Sequence, residues 1–238
     1  MTWEEAQALD KSTAVAILPV GAIEAHGPHL PLSTDVIISE EMARRAATRL
    51  SALGRQVVLL DPLTYTPAGF AEGFAGTISL SAETLRTTVR EIAESLARAG
   101  LRWLCLANSH LDPENVSALR DVQVPGISIC FADKTRRRWV ERLTEEFKSG
   151  SCHAGQYETS LVLAARPALV RDSRRNLPKL GVPLAEKIRA GATRFEEVGM
   201  ERAYCGDPAA ATGEEGARVY DLLADMIVTD FLERNREA

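Results

Sequence analysis

The sequence has few of the features that mark secreted, membrane or nucleic-acid-binding proteins. Its four cysteines lie far apart and form no CxxC pair, so we interpret them as reduced thiols in a cytoplasmic protein. No apolar run reaches the ~18 residues of a membrane span, and the N-terminal residues lack the basic region of a signal peptide. The net charge of −5 argues against nucleic acid as a general partner, because such a partner favours a basic face.

Two common catalytic motifs are also missing. The chain has no GxSxG, which leaves a serine hydrolase with little support, and it has no Gly-rich phosphate loop. A hydrophobic content of 45% and a charged content of 26% are ordinary globular values. Because there is no internal repeat, low-complexity linker or break in composition, residues 1–238 are predicted to form a single domain.

Short apolar runs alternate with helical patterns along the chain. Strands are predicted at 14–20, 56–60, 102–107 and 126–131, and helices at 3–9, 35–53, 81–99, 113–121, 134–148, 156–165 and 212–234. Continuous apolar strands between helices indicate a largely parallel sheet covered on both faces, that is, an α/β protein with three α/β/α layers. The charged helix at 134–148 is expected to be a solvated face, and residues 171–206 are expected to be irregular. The long aperiodic loop at 61–78 is of a length that is usually functional.

The first strand leads into a stretch that is dense in metal-binding side chains. Gly21 ends the apolar run, and Glu24, His26, His29 and Asp35 follow. Carboxylate oxygens mixed with imidazole nitrogens suit Zn²⁺, Mn²⁺ or Fe²⁺ better than Ca²⁺. A single histidine near a strand end is more often structural, so the interpretation as a metal site depends on the acidic neighbours. We interpret His29, which has prolines nearby, as a residue that shapes the loop or supports a ligand.

Further candidate ligands follow later in the chain. His110 and Asp112 come after the strand at 102–107, and His153 and Glu158 lie where a later helix begins. Because the carboxyl ends of parallel strands meet at one edge of a sheet, we expect these groups to converge with the first cluster. Five or six nitrogen and oxygen ligands are enough for two divalent ions bridged by a carboxylate, which activate water and polarise a carbonyl.

Five segments resemble, in order, the signature stretches of the creatininase (creatinine amidohydrolase) family. The two specific ones are LPVGAIEAHGPHLPLSTD at 18–35 and HAGQYETS at 153–160. The weaker ones are GTISL at 76–80, NSH at 108–110 and ATGEEG at 211–216. This resemblance spans nearly the whole chain. It implies an α/β/α domain with two divalent metal ions (Zn, Mn or Fe) per chain, in a homo-oligomer that is often a hexamer.

The resemblance also implies roles for individual residues. Carried over by position, Glu24 and His110 hold one metal ion and His26 the other, with Asp35 bridging both. His153 matches a histidine that handles the proton in catalysis.

The fifth ligand is predicted to be Asp112. Creatininases place a glutamate two residues after the NGH histidine, which is the position of Asp112 here. Many other members instead have a glutamate directly after HAG, where this chain has Gln156, a poor ligand for a hard metal. Glu158 is then a hydrogen-bonding support or a less favoured ligand.

Departures from the family pattern lie around the substrate. Ser109 replaces the usual glycine, and Cys152 stands where creatininases have an acidic residue. Phe70, Phe74, Leu111 and Cys152 are the predicted walls of the substrate pocket. These departures argue against creatinine as the substrate.

We therefore predict a hydrolase that uses metal-activated hydroxide to cleave a carbon–nitrogen bond of a small cyclic amide or formamide other than creatinine. One alternative is a peptide-trimming metallopeptidase of a biosynthetic pathway, which a wide groove near residues 61–78 would favour. Another is a non-catalytic binding protein that retains the fold, although the intact ligand set speaks against it.

Overall fold

Four short strands form a parallel sheet at the centre of the computed structural model, which describes residues 1–237. The strands are β1 (Ala14–Val20), β2 (Gln56–Leu59), β3 (Trp103–Asn108) and β4 (Ser128–Phe131), in the order β2-β1-β3-β4. Every neighbouring pair runs parallel. β1 and β3 are buried at every position, while the two edge strands are partly exposed. The central strands therefore read as unbroken apolar runs.

Helices cover both faces of this sheet. Within residues 1–237 they are α1 (Trp3–Gln7), α2 (Thr34–Ala52), α3 (Ala82–Arg98), α4 (Pro113–Arg120), α5 (Arg137–Val140), α6 (Glu145–Ser149), α7 (Gln156–Ala165), α8 (Leu184–Arg189) and α9 (Gly213–Glu237). α2, α7 and α9 pack together in one layer, and α3 and α4 pack together in the other. The predicted α/β fold with three layers is confirmed. No described helix is both long enough and apolar enough to cross a membrane.

The two faces of β1 and β3 belong to separate hydrophobic cores. In β1, Val15 and Ile17 pack in the core beneath α2, α7 and α9, whereas Ala16 and Leu18 pack in the core beneath α3 and α4. Successive side chains of a strand point to opposite faces, which produces this division. The sheet is thereby fixed from both sides, and the loops at the carboxyl ends of β1 and β3 start from a rigid base.

The prediction of one solvated helix at 134–148 is wrong. The segment forms α5 and α6 instead, and the Thr144 side chain accepts the N–H of Phe147 at the start of α6. Trp139, Leu143 and Phe147 are buried, and so is Lys134. Charged residues dominate the composition of this segment, but its apolar residues recur every fourth position, which is the spacing of a face packed against a core.

The other predicted helices and strands are present, with ends displaced by at most three residues. The region predicted to be irregular, 171–206, also contains the short helix α8 and one-turn 3₁₀ helices at 172–176 and 196–198. The loop at 61–78 contains a single 3₁₀ turn at 69–71.

Candidate metal centre

Loops at the carboxyl ends of β1 and β3 bring four candidate ligands together. Glu24 and His26 follow β1, Asp35 lies in the first turn of α2, and His110 follows β3. All four are at most 3% exposed. Gly21 makes the approach of β1 to α2 possible, because a Cβ at this position would lie 2.6 Å from a backbone nitrogen of α2.

Three histidines around this cluster each form a hydrogen bond between one ring nitrogen and a backbone carbonyl. The pairs are His26 Nδ1 with Glu24 at 3.2 Å, His110 Nε2 with Pro67 at 2.6 Å, and His153 Nε2 with Ala25 at 3.0 Å. Because a carbonyl oxygen only accepts hydrogen bonds, these nitrogens carry a proton. The other nitrogen of each ring faces the buried carboxylates. Metal-binding histidines in proteins are oriented by the same kind of contact.

The ligand atoms form two groups that share Asp35. In the first, His110 Nδ1 lies 3.4 Å from Glu24 Oε1 and 3.0 Å from Asp35 Oδ2. In the second, His26 Nε2 lies 3.8 Å from Asp35 Oδ2 and 3.6 Å from Glu158 Oε2. Within each group the ligand atoms are all within 4.8 Å of one another. The geometry thus provides two adjacent candidate sites with one common carboxylate.

Among the described residues, two atoms at the junction of these groups make no hydrogen bond of good geometry, although His110 Nδ1 lies near one of them. They are His26 Nε2 and Asp35 Oδ2, both fully buried. An unsatisfied buried polar atom costs about 1–3 kcal/mol. The other carboxylate oxygen of Asp35, Oδ1, accepts a hydrogen bond from Ser109 Oγ at 2.8 Å. A divalent cation would satisfy both orphaned atoms, and imidazole nitrogens with carboxylate oxygens are ligands that Zn²⁺, Mn²⁺ and Fe²⁺ accept. These residues therefore fit a divalent metal.

The charges of the cluster are strongly coupled. Burial lowers the pKa of His110, but the carboxylates of Glu24 and Asp35 outweigh it and hold that pKa well above its usual value. Burial, together with the negative charge of Asp35, raises the pKa of Glu158 to about 7. Ligands release their protons when a metal ion binds, so a cation would replace the protons that this cluster otherwise holds.

Glu158, and not Asp112, joins the ligand groups. The backbone N–H of Ala154 donates to Glu158 Oε2 at 2.7 Å and points this oxygen toward His26. Asp112 instead caps α4, since its Oδ1 accepts the N–H of Glu114 at 2.8 Å. Asp112 lines the adjacent cleft but belongs to no ligand group among residues 1–237. Its position argues against the predicted ligand role.

His153 lies between the cluster and the cleft. Its ring centroid is 4.5 Å from that of His26 and 4.4 Å from that of Phe195. His153 Nδ1 is 3.9 Å from Glu24 Oε1, and the three residues Glu24, His26 and His153 form a third group of ligand atoms. Burial lowers the pKa of His153 to about 4, so the imidazole is neutral near pH 7. A proton-transfer role and a ligand role both fit this position.

A cleft of about 670 Å³ lies beside the cluster. Of the predicted wall residues, Phe70, Leu111 and Cys152 line it. Phe74 does not line it and packs against Phe195, with ring centroids 6.5 Å apart. Most of the remaining apolar wall was missed by sequence analysis and consists of Val116, Val140, Phe147, Leu184, Ile188 and Phe195. Several of these lie in segments predicted to be solvated or irregular.

Two further buried polar residues lie behind the ligands. His29 is fully buried and its Nε2 is 2.9 Å from Thr159 Oγ1, while it belongs to no ligand group among the described residues. This position fits the predicted supporting role. Lys134 is 3% exposed, and its Nζ donates to the carbonyl of Ser109 at 3.3 Å. Sequence analysis missed Lys134 because the surrounding charges made it look like part of a solvated face.

Comparison with known proteins gives consistent similarities. A family model described as "Creatininase: Creatinine amidohydrolase" matches residues 1–231. The mycofactocin precursor peptide peptidase of Mycobacterium ulcerans (strain Agy99) is 34% identical over 221 residues, which cover 90% of this chain and 82% of the relative. The creatinine amidohydrolase of Pseudomonas putida is 33% identical over 186 residues, covering 71% of this chain and 72% of the relative. A solved structure described as "Creatininase Mn" matches with a TM-score of 0.72 and 25% identity, covering 100% of this chain and 96% of that one.

Proposed function

Since the chain belongs to the creatininase family, we propose that it is a metal-dependent hydrolase that cleaves a carbon–nitrogen bond of a short peptide or peptide-derived amide. Membership in this family supports the hydrolase class. The observation that carries the choice of substrate is the size of the cleft beside the ligand cluster. Its volume of about 670 Å³ falls within the range of sites that bind drug-sized ligands, roughly 300–1,000 Å³.

The lining of the cleft favours a chain-like substrate. Its walls come from separate parts of the chain, including Phe70 in the 61–78 loop, Leu111 after β3, Phe147 in α6 and Leu184 in α8. Apolar walls on several sides of a cleft can bind successive side chains of a peptide. The 33–34% identity to relatives named mycofactocin precursor peptide peptidase supports the same substrate class.

Two groups of residues would hold the metal ions. Glu24, Asp35 and His110 form one candidate site, and His26, Asp35 and Glu158 form the other. Divalent ions bound there supply a Lewis acid for the carbonyl oxygen and lower the pKa of a water molecule. The shared Asp35 keeps the two sites adjacent, and Ser109 fixes its carboxylate by the hydrogen bond to Oδ1.

His153 is the residue best placed to move a proton. Its Nε2–H is held by the carbonyl of Ala25, so Nδ1 is free to accept a proton at the edge of the cleft. Because the imidazole is neutral near pH 7, it can take up a proton and pass it to the leaving nitrogen. The Phe195 ring packs against the imidazole at a tilt of 39°.

A small cyclic amide or formamide is the second candidate substrate. The similarity to a relative named creatinine amidohydrolase supports it. The carbon–nitrogen chemistry would be the same, and the difference would lie in how much of the cleft the substrate fills.

The test compares the two substrate classes on metal-loaded protein. A panel of short apolar peptides, cyclic amides including creatinine, and formamides is assayed with the wild type before and after treatment with a chelator. We expect peptide cleavage that the chelator abolishes, and negligible turnover of creatinine.

Two variants sharpen this assay. Leu184→Trp adds volume to the cleft wall and should slow peptide cleavage, whereas Leu169→Trp, at an exposed leucine that does not line the cleft, should not. Efficient hydrolysis of creatinine with no cleavage of any peptide would replace the peptide by the second candidate. Full activity after removal of all metal would refute the hydrolytic mechanism itself.

A further inference from the structure

Glu146 in α6 is a partly buried carboxylate that lies outside the ligand groups. It accepts three backbone hydrogen bonds: Oε1 from Tyr157 at 2.8 Å, and Oε2 from Gln156 at 2.9 Å and from Asp207 at 2.7 Å. An ionised carboxylate only accepts hydrogen bonds, so it matches three N–H donors without conflict. Burial raises the pKa of Glu146, and the three donors act against that rise.

These hydrogen bonds join three segments of the chain. Gln156 and Tyr157 lie in the first turn of α7, and Asp207 lies in the segment that precedes α9. Glu146 thus satisfies N–H groups at the beginning of α7, which have no partner within the helix. It also holds the beginning of α7 against residues 205–207.

Both segments determine where the site residues lie. The Cys205 N–H donates to the carbonyl of His153 at 2.8 Å, so the position of His153 depends on residues 205–207. Ala154 has a φ of +50°, an unfavourable conformation for a residue with a side chain, and its N–H orients Glu158. A turn with such a conformation persists only when its surroundings hold it in place.

Two glycines leave room for the Glu146 carboxylate. A Cβ at Gly155 would lie 2.5 Å from Glu146 Oε1, and a Cβ at Gly206 would collide with Oε2. A single carboxylate thus occupies the space that both glycines leave open between residues 155 and 206. The ligand groups do not explain why the Glu146 carboxylate lies between these two glycines.

We propose that Glu146 is a positioning residue that holds the turn carrying His153, and the first turn of α7 carrying Glu158, in the geometry needed for metal binding and proton transfer, a role that rests on the proposed metal-dependent function. It does not touch the ligand atoms and acts through the backbone of residues 153–158. A purely structural cap would affect the stability of α7 but would leave the affinity of the folded site for metal unchanged. The two roles therefore differ in a measurable way.

The test uses Glu146→Gln, which keeps the shape of the side chain but places an NH₂ donor near backbone donors. The matched control is Glu145→Gln in the same helix, where the side chain is exposed and pairs with Lys148. Amide hydrogen exchange is measured on metal-free protein, and zinc is then titrated into each protein below its melting temperature.

In Glu146→Gln we expect faster exchange at Gln156, Tyr157 and Asp207. We also expect about tenfold or greater weakening of one of the two zinc sites, since substitutions behind metal ligands typically cost 10–100-fold in affinity. kcat should fall more than KM rises, because the displaced groups act on the reacting bond. Glu145→Gln should match the wild type in every measurement.

Unchanged zinc affinity in folded Glu146→Gln, with only a lower melting temperature, would overturn the proposal and leave Glu146 as a cap. If Glu146→Gln does not fold, Glu146→Asp is measured instead, and the same two outcomes decide. Zinc binding by the wild type separates this result from the proposed function. A wild type that binds no zinc contradicts the metal-dependent function. If the wild type binds two ions, the result for the variant tests the role of Glu146 alone.

Discussion

The ligands at the sheet edge and the site residues at the start of α7 are held in place by different interactions. The sheet-edge half consists of Glu24, His26, Asp35 and His110, which extend from β1, α2 and β3. These strands are buried at every position and packed between two hydrophobic cores. The turn half consists of His153, in the turn before α7, and Glu158, in the first turn of α7, which depend on a residue with positive φ and on a few buried hydrogen bonds.

This difference has consequences for how each half responds to mutation. Burial of apolar surface contributes most of the stability of the sheet, roughly 25 cal/mol per Å², so the sheet-edge half moves only if the core is disrupted. A single hydrogen bond contributes about 0.5–1.5 kcal/mol net, so the turn half can shift while the chain stays folded. Substitutions in the turn half should therefore tune the site, and substitutions in the sheet-edge half should remove it.

The largest effect is expected for Asp35→Ala. Asp35 Oδ2 is common to both ligand groups, so its loss should remove both sites at once. We expect the metal content to fall from about two ions per chain to about none, together with all metal-dependent turnover. Elemental analysis of the purified variant checks this, and circular dichroism checks that it is folded. Retention of the full metal content would exclude Asp35 as the shared ligand.

A smaller effect is expected for His153→Ala in the turn half. If His153 moves protons, the variant should keep its metal ions and lose roughly 10²–10⁴ in kcat, the usual contribution of a general acid–base group. The measurement pairs steady-state kinetics with metal analysis of the same sample. A loss of one metal ion would instead make His153 a ligand, which its place in the third ligand group also allows.

The smallest effect is expected for Ser109→Ala. The Ser109 hydroxyl orients Asp35 but touches no other ligand, so its removal should weaken metal binding by about tenfold. The matched control is Ser39→Ala in α2, a buried serine whose hydroxyl donates to the Val36 carbonyl. If the Ser109 variant, the Ser39 variant and the wild type bind metal with equal affinity, the sheet-edge half does not need the hydrogen bond from Ser109.

The same division into two halves explains which parts of the site could be predicted from the sequence. The strands at 14–20 and 102–107 are continuous apolar runs, and parallel strands bring their carboxyl ends together, so the convergence of Glu24, His26, Asp35 and His110 was predictable. The sequence also accounts for the place of Asp112 at the start of α4, because an aspartate directly before a proline is typical of a helix start.

The turn half was predicted less completely because tertiary contacts fix it. Nothing in the local sequence separates the partly buried Glu146 from the exposed Glu145, which is its neighbour in a segment of high charge. Phe195 forms part of the cleft wall from a region with no regular spacing. The regular recurrence of Trp139, Leu143 and Phe147 was the one local sign that this segment packs inward.

The most direct test of the account counts metal ions in two variants of the metal-replete protein, Glu158→Gln and Asp112→Asn. The central claim is that both halves of the centre share a metal pair, with Glu158 as the ligand from the turn half. The account predicts about two ions in the wild type and in Asp112→Asn, and about one in Glu158→Gln. A loss of one ion from Asp112→Asn, with both retained in Glu158→Gln, would contradict it.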